Sequence, residues 1–372
     1  MNEIRFGVIG TGYMGKAHAL ALKSVATVFD TPLRPVCEMV CATSEGGAAE
    51  KARAFGFNRS TADWHVLVGD PDIDAVAIAS PQWTHRDIAL AALAHGKPVF
   101  CEKPLGENLD DSRAMVEAAR SAQVANMVGF NYIRTPASQL ARDIIATGEI
   151  GRVISVQAEH TEDFLAGEDT PADWRTRHIS AGTMGDLAPH IINAVLRLVG
   201  PVASLVADIE TVFPERPGPD GPVTVNNDDQ ANVLVRFETG AMGSLTISRV
   251  AAGRKMGYAY AITGTKGAIR FDQEDQNVLW LYDMNAPKGR QGFKKILAGP
   301  DHPDYLPFLQ GPGHGTGYNE QITIEMRDFL TAIATGEAVW PTFADGHEVN
   351  RVVEAARLSH GERRWVRMDE VT

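Results

Sequence analysis

The sequence predicts an α/β chain: an N-terminal doubly wound parallel sheet, then an α+β domain on a large, mostly antiparallel open sheet. Three observations predict it. Up to about residue 130, short apolar runs alternate with amphipathic stretches, the pattern of parallel strands with crossover helices. A glycine-rich turn follows the first of those runs. Beyond residue 130, strand-like segments succeed one another with few helices between them. At about 100–200 residues per domain, a chain of 372 holds two. The change of pattern divides them as 1–130 and 131–372, the last segments being able to pack back on the first.

The elements follow in order. Ile4–Ile9 is a strand, followed by the glycine-rich turn and a helix to about Ser24; Val36–Ala42 is the next strand and Ala48–Phe55 the next helix. Asp74–Ala79 is an apolar run suited to a strand buried on both faces. Helix Arg86–His95, strand Pro98–Glu102, helix Asp110–Ala122 and strand Val124–Gly129 complete the first pattern. A helix near Ala137–Thr147 precedes strands at Val153–Glu159, Val202–Val212, Ala231–Phe237 and Ala241–Val250. The last two form a hairpin around Glu238-Thr239-Gly240, where glycine supplies a positive φ. Tyr258–Thr263, Ala268–Phe271 and Val278–Tyr282 add strands, and helices near Asn319–Thr335 and Asp345–His360 close the chain. Pro214–Pro222 and Gly311–Gly317 read as surface or lid loops.

Composition narrows the function. With 44% hydrophobic and 22% charged residues, the chain is globular rather than disordered. Lys plus Arg is 35 against 47 Asp plus Glu, a formal charge of −12; such a chain repels nucleic acid and anionic membranes. No apolar stretch nears the ~20 residues that span a bilayer, and the N-terminus runs straight into a strand rather than a signal peptide. Cys37, Cys41 and Cys101 form no Cys-x-x-Cys pair, so reduced buried thiols in a cytoplasmic protein are expected, and no metal site.

Gly10-Thr11-Gly12-Tyr13-Met14-Gly15 has the G-x-G-x-x-G spacing between the first strand and first helix, the context of a dinucleotide-binding turn in a Rossmann domain. Gly10 permits the turn, Gly12 lets a pyrophosphate approach the backbone, and Gly15 lets helix and strand close up. The carboxylate usual at the end of the second strand is missing; Thr43 and Ser44 stand there and are expected to meet the ribose. NAD and NADP both remain open, with a lean to NAD because Glu45 opposes a 2′-phosphate and no Lys or Arg follows Ser44 before Lys51.

Glu102-Lys103-Pro104 then ends a strand at the carboxyl edge of the sheet. Here the chain resembles the Gfo/Idh/MocA family of sugar and cyclitol oxidoreductases over essentially its whole length. The resemblance rests on Ser80-Pro81-Gln82-Trp83-Thr84-His85, Gly96 through Leu105, Val128-Gly129-Phe130-Asn131-Tyr132, Trp174-Arg175, Gly185-Asp186-Leu187-Ala188-Pro189-His190 and Gly264 through Ala268. It implies Lys103, Asp186 and His190 as the catalytic set. It also implies Ser80, Pro81, Gln82, His85, Glu102, Lys103, Asn131, Trp174 and Arg175, with the glycine loop, around NAD(P). Lys103, Tyr132, Asp186, His190, Asn193 and His314 are expected at the substrate.

The residue types suit the chemistry. Taking a hydride from a secondary alcohol requires taking the hydroxyl proton too, so a base must stand beside the carbinol. A lysine held by proline beside a positively charged nicotinamide is a usable base. Asp186 and His190 are four apart; because Pro189 belongs in a first turn, one helix is expected to begin near Asp186 with both side chains at its positive amino end. Two positions depart from the family pattern: Asn193 stands where many sugar-oxidising members carry an acid, and Gln82 where the Pro-Asn turn is common. Arg134 is a further pocket candidate; His160 and His178 receive no role; Trp64, Trp280 and Trp340 read as core or interface. The expected protein is an NAD(P)-dependent dehydrogenase of a cyclic polyol or pyranose sugar, a homodimer or homotetramer. The alternatives are a non-catalytic dinucleotide or sugar sensor and a nicotinamide-dependent glycosidase.

Overall fold

The apolar runs at the N-terminus become a six-stranded, all-parallel sheet. In the computed structural model, which describes residues 2–371, the chain begins β1 (Asn2–Ile9), α1 (Tyr13–Val28), β2 (Leu33–Cys41), α2 (Glu45–Phe55), β3 (Arg59–Thr61), α3 (Trp64–Gly69), β4 (Ala75–Ile78), α4 (His85–Ala94), β5 (Val99–Glu102), α5 (Leu109–Ala122) and β6 (Asn126–Gly129). Across the sheet the order is β3-β2-β1-β4-β5-β6. It reverses between β1 and β4, so their carboxyl ends flank the switch point at which such sheets take ligands. All four residues of β4 are buried, which is why its sequence is a continuous apolar run rather than an alternation. β3 and α3 carry no such signal. β3 is three residues long, polar, and paired on one side only.

The chain continues with α6 (Pro136–Ala146), β7 (Val153–Thr161), α7 (Trp174–Arg177), α8 (Thr183–Asp186), α9 (Ala188–Leu198), β8 (Val202–Glu210), β9 (Glu215–Gly218), β10 (Gly221–Thr224), β11 (Gln230–Phe237), β12 (Met242–Ser248), β13 (Gly257–Gly264), β14 (Gly267–Asp272), β15 (Val278–Asp283) and β16 (Lys294–Leu297). It closes with α10 (Tyr318–Thr335), α11 (Phe343–Glu362) and β17 (Val366–Arg367). Nine strands form one sheet in the order β16-β15-β14-β13-β7-β12-β11-β8-β17. Its pairs are antiparallel except β12 with β7. In β11, Ala231, Val233, Val235 and Phe237 are buried while Asn232, Leu234 and Arg236 are exposed. That alternation marks a sheet with one covered face; α9 against β7 and α6 against β14 and β15 help to cover it.

Pro214–Pro222, expected as a loop, is instead largely a two-stranded hairpin of β9 and β10, with Pro217 opposite Pro222. Each strand of a two-stranded ribbon has a free side, so a missing N–H there breaks no ladder. Gly311–Gly317 has no regular structure until α10 begins.

By contacts, the chain divides into one unit of residues up to Arg134 together with Gly317–Asn350, and a second of Thr135–Thr316 with residues from Arg351 onward. In the first unit, Ile322, Met326, Phe329 and Leu330 of α10 join the core of the parallel sheet. Phe329 meets Phe6 and Phe100 edge-on, with ring centroids 6.1 and 5.7 Å apart. The three cysteines are free and buried, and burial pushes the Cys37 and Cys41 thiols up to about 11. Among the described residues no helix is long and apolar enough to cross a membrane.

Candidate active site

The first unit carries its candidate residues just beyond the carboxyl ends of β1, β2, β4, β5 and β6. Gly10 has φ +104, and a Cβ there would lie 2.4 Å from the Ala79 carbonyl oxygen; a Cβ at Gly15 would lie 2.0 Å from that of Gly10. Both glycines are therefore demanded by the protein itself. A Cβ at Gly12 would meet nothing within 4 Å, so the protein's own packing does not require that glycine. Gly12 also begins α1 with no side-chain cap, the kind of helix start that suits an anion. Beside it, Tyr13 is well exposed and its ring lies 5.4 Å from that of Tyr318, whose hydroxyl donates to Met14 Sδ. Thr43 and Ser44 are exposed after β2. Ser44 caps α2 by accepting the Gly47 N–H, Glu45 is turned away to accept the Ala62 N–H, and Lys51 is paired with Glu50.

Lys103 directly follows β5 and its neighbours on both sides are held by buried histidines. His18 of α1 points Nε2 at Glu102 Oε1, 2.8 Å away. His85 sits between two main-chain carbonyls, Nδ1 2.9 Å from Pro104 O and Nε2 2.9 Å from Ser80 O. Burial pushes the His85 imidazolium below the usual histidine range. The neutral ring has one N–H and donates to one of those carbonyls only. Glu102 and His85, expected at the cofactor, are thus engaged in holding the Lys103 segment. Ser80 Oγ pairs with Thr84 Oγ1 at 2.6 Å, next to Pro81, and Gln82 is buried in the same turn. Asn131 is buried and donates to Gln321 Oε1, while the Tyr132 ring lies 6.0 Å from that of Tyr318. Arg134 is no pocket residue: it is buried, pairs with Asp328, donates to Trp340 O and stacks on the Trp340 ring. A buried guanidinium needs those partners to offset its lost hydration.

The second unit assembles the other candidates around a broken helix. Asp186 ends α8, and His190 lies in the first turn of α9. The single helix expected from the sequence is interrupted because Pro189 has no N–H for the Gly185 carbonyl. The helix amino end therefore acts on His190 alone. His190 is buried, 5.4 Å ring to ring from His160. His160 points Nδ1 at the Leu187 carbonyl, 2.8 Å away, and Nε2 at Glu162, 3.2 Å away. Asn193, one turn after His190, is buried with Oδ1 unbonded among the described residues. The Arg175 Nε is 3.9 Å from Asp186 Oδ2, and its guanidinium lies over the Trp174 ring. Those two residues, expected at the cofactor, thus stand on the Asp186 side. His314 is exposed, in a loop whose Gly311 carbonyl accepts from the Tyr305 hydroxyl at 2.7 Å.

Two residues that the sequence did not single out support this half. Asp228 accepts the Met184 N–H at 2.7 Å and so caps α8; burial pushes its carboxyl pKa up. Arg249 pairs with Asp229 at 2.9 Å and donates to the carbonyls of Arg175 and Ala181. No local pattern in the sequence announces these contacts, because each partner is at least 40 positions away except Asp229.

Residues 4–130 match a family model described as an oxidoreductase family with an NAD-binding Rossmann fold, and residues 138–270 match the GFO/IDH/MocA C-terminal domain. Levoglucosan dehydrogenase of Pseudarthrobacter phenanthrenivorans is 38% identical over an alignment that covers 100% of both chains. This chain belongs to the Gfo/Idh/MocA family. Another relative, myo-inositol 2-dehydrogenase of Thermotoga maritima, is 28% identical over 99% of each chain. The solved structure of a levoglucosan dehydrogenase with NADH and levoglucosan superposes at a TM-score of 0.96, with 38% identity over 99% of this chain and 100% of that one.

The protein is accordingly an NAD-dependent oxidoreductase. Its residues fit that cofactor. Gly12 keeps clear the space that a Cβ would fill, the start of α1 is uncapped, and the hydroxyls of Thr43 and Ser44 are exposed where the ribose carboxylate of other Rossmann domains is absent.

Proposed function

We propose that this family member oxidises a secondary hydroxyl of a pyranose-type sugar, foremost an anhydro-sugar of the levoglucosan kind, or runs the reverse reduction. The observation that carries the reading is the end-to-end relationship to levoglucosan dehydrogenase at 38% identity. Bound NAD supplies the hydride acceptor, its nicotinamide C4. Lys103 takes the proton from the hydroxyl as the C–H hydride leaves, so the substrate loses two electrons and two hydrogens and becomes a ketone. His190, in the first turn of α9, hydrogen-bonds the reacting hydroxyl, and Asp186 balances charge beside it with Arg175. Asn193 replaces an acid with an amide; its unbonded buried Oδ1 supports a contact with a substrate hydroxyl. Tyr132 and His314 complete the substrate-side assignment.

The direct test offers levoglucosan, L-sorbose and myo-inositol with NAD and follows reduced nicotinamide. Turnover of levoglucosan with the highest kcat/KM is expected. Tight NADH binding without turnover of any sugar would favour a sensor instead.

The same reading extends to assembly and location. The exposed face of the nine-stranded sheet presents Leu234, Met242 and Trp280 and holds a groove of about 510 Å³ lined by Gln157, Thr246, Arg270 and Trp280 among others. Apolar exposure of this kind supports self-association, so a homodimer or homotetramer is expected in gel filtration; elution as a monomer at micromolar concentration refutes it. Three free buried thiols support a reducing compartment, the cytoplasm.

A further inference from the structure

We infer that His18 and His85 are positioning residues that tie the two cofactor-side turns of the first unit to Lys103. The inference rests on the assignment of Lys103 as the proton-transfer group. His18 lies on the helix that opens at the glycine loop, three residues after Gly15, and its ring is fully buried against Phe100 with centroids 4.9 Å apart. Its Nε2 reaches Glu102, the residue before Lys103, at 2.8 Å. The Glu102 carboxylate occupies the space at Gly129 of β6, where a Cβ would come within 2.9 Å of Oε1. On the other side of Lys103, His85 lies between the Pro104 carbonyl and the Ser80 carbonyl of the turn after β4, 2.9 Å from each, and its one N–H donates to one of them. Lys103 is therefore flanked by the His18–Glu102 contact one residue before it and by His85 packed against Pro104 one residue after it; His18 belongs to the helix that opens at the glycine loop, and His85 stands beside the turn after β4.

Each histidine also satisfies a buried polar group, Glu102 for His18 and a main-chain carbonyl for His85, so the test separates placement of the lysine from stability. A buried imidazole facing a buried carboxylate is costly unless the geometry of the pair is needed. Rate in a proton and hydride transfer depends on placement to within a fraction of an ångström; a 1 Å error costs about 100-fold. These two flanking contacts on the lysine segment supply that placement, and binding of NAD at the adjoining turns stiffens the lysine with them.

The test compares His18→Leu with His18→Gln, whose amide nitrogen can stand in for Nε2. His18→Leu is expected to lower kcat about 10–100-fold with little change in sugar KM or in NADH affinity, and His18→Gln to recover most of the loss. In a Lys103→Ala background, His18→Leu should add almost nothing, because it acts through Lys103. Wild-type kcat in His18→Leu, or an undiminished further loss in the Lys103→Ala background, overturns the inference. If His18→Leu does not fold, as judged by thermal melting and NADH binding, His18→Gln is set against His18→Asn, whose shorter amide does not reach Glu102. Equal kcat in those two overturns it as well. Lys103→Ala measured alone separates this failure from the other: near-wild-type kcat there refutes the lysine assignment itself.

Discussion

In the parallel unit, Lys103 stands at the end of a fully buried strand, and the atoms that hold its neighbours belong to two buried histidines. In the antiparallel unit, His190 stands in the first turn of a helix that proline has just restarted, and the atoms that hold its surroundings belong to Asp228, Arg249 and His160. The first arrangement uses the sheet as an anvil: β5 lies between β4 and β6, and a side chain at its end inherits their rigidity. The second builds rigidity from capped short segments, α7, α8 and α9, each only one to three turns long. Short helices contribute little stability of their own. The lesson is that the lysine's placement is a property of fold class, whereas the histidine's is a property of a few long-range polar contacts.

The sharpest way to break the comparison is to remove each reactive group. Lys103→Ala should lower kcat by roughly 10²–10⁴-fold, the range for a lost acid or base, while NADH affinity measured by fluorescence stays nearly intact. Lys103→Arg should rescue little, since a guanidinium does not give up its proton. His190→Ala should cost less in kcat and more in sugar KM if it chiefly orients the hydroxyl. Near-wild-type kcat in Lys103→Ala with only a raised KM would pass the base role to His190.

This asymmetry also governs what the sequence made readable. The glycine loop, the Glu102-Lys103-Pro104 strand end and the apolar run of β4 are local signals, because a parallel sheet writes its burial into contiguous residues. The alternation of β11 and its hairpin with β12, turning at Gly240 with φ +85, is equally local. The Asp186 and His190 pair is legible as spacing, but its geometry is not: Pro189 signals a first turn, and only the structure shows that the preceding turn belongs to another helix. His18 carries no signal at all, being one polar residue on an apolar helix face whose partner is 84 positions away. His85 misleads for the same reason. It lies in a motif that resembles a cofactor turn, yet its ring is buried between two main-chain carbonyls within the unit, 2.9 Å from each.

The thiols sharpen the comparison from the side of stability, since Cys37, Cys41 and Cys101 all lie in the parallel sheet. With Cys37 and Cys41 pushed up to about 11 and both buried, a thiol reagent should label native protein slowly at neutral pH. If labelling requires the sheet to open, NAD at about 100 times its Kd should slow it roughly 100-fold, because the cofactor binds the closed form. A rate indifferent to NAD would mean that exposure comes from a local fluctuation instead.

Loosening the antiparallel scaffold should produce a smaller loss. Asp228→Ala removes the acceptor of the Met184 N–H at the start of α8, a change comparable to losing a helix cap at about 1 kcal/mol. The expected outcome is a fall of about fivefold in kcat/KM for the sugar, with NADH affinity unchanged and Asp228→Asn close to wild type. A change in NADH affinity equal to that in kcat/KM would show that the two units do not divide the labour as described.

The smallest effect concerns a buried acid in the parallel unit that takes no part in the proposed chemistry. Glu325 of α10 is fully buried; burial pushes its carboxyl pKa well above the usual carboxylate range, with Glu102 and Asp328 adding to the rise and Arg134 opposing it. A carboxyl whose folded pKa exceeds its unfolded value binds more protons when folded. Its contribution is therefore fully present below the unfolded value, near 4.5, and is lost as pH rises through the folded one. Glu325→Gln keeps the shape and cannot ionise. It should match wild type in thermal midpoint near pH 5 and exceed it near pH 8, by about 1.4 kcal/mol for each unit of pKa elevation that the rising pH has crossed. The effect should leave kcat within a factor of about two. If Glu325→Gln is instead less stable than wild type near pH 8, the carboxylate is ionised and held by Arg134, and the parallel unit stores a buried ion pair where burial argues for a neutral acid.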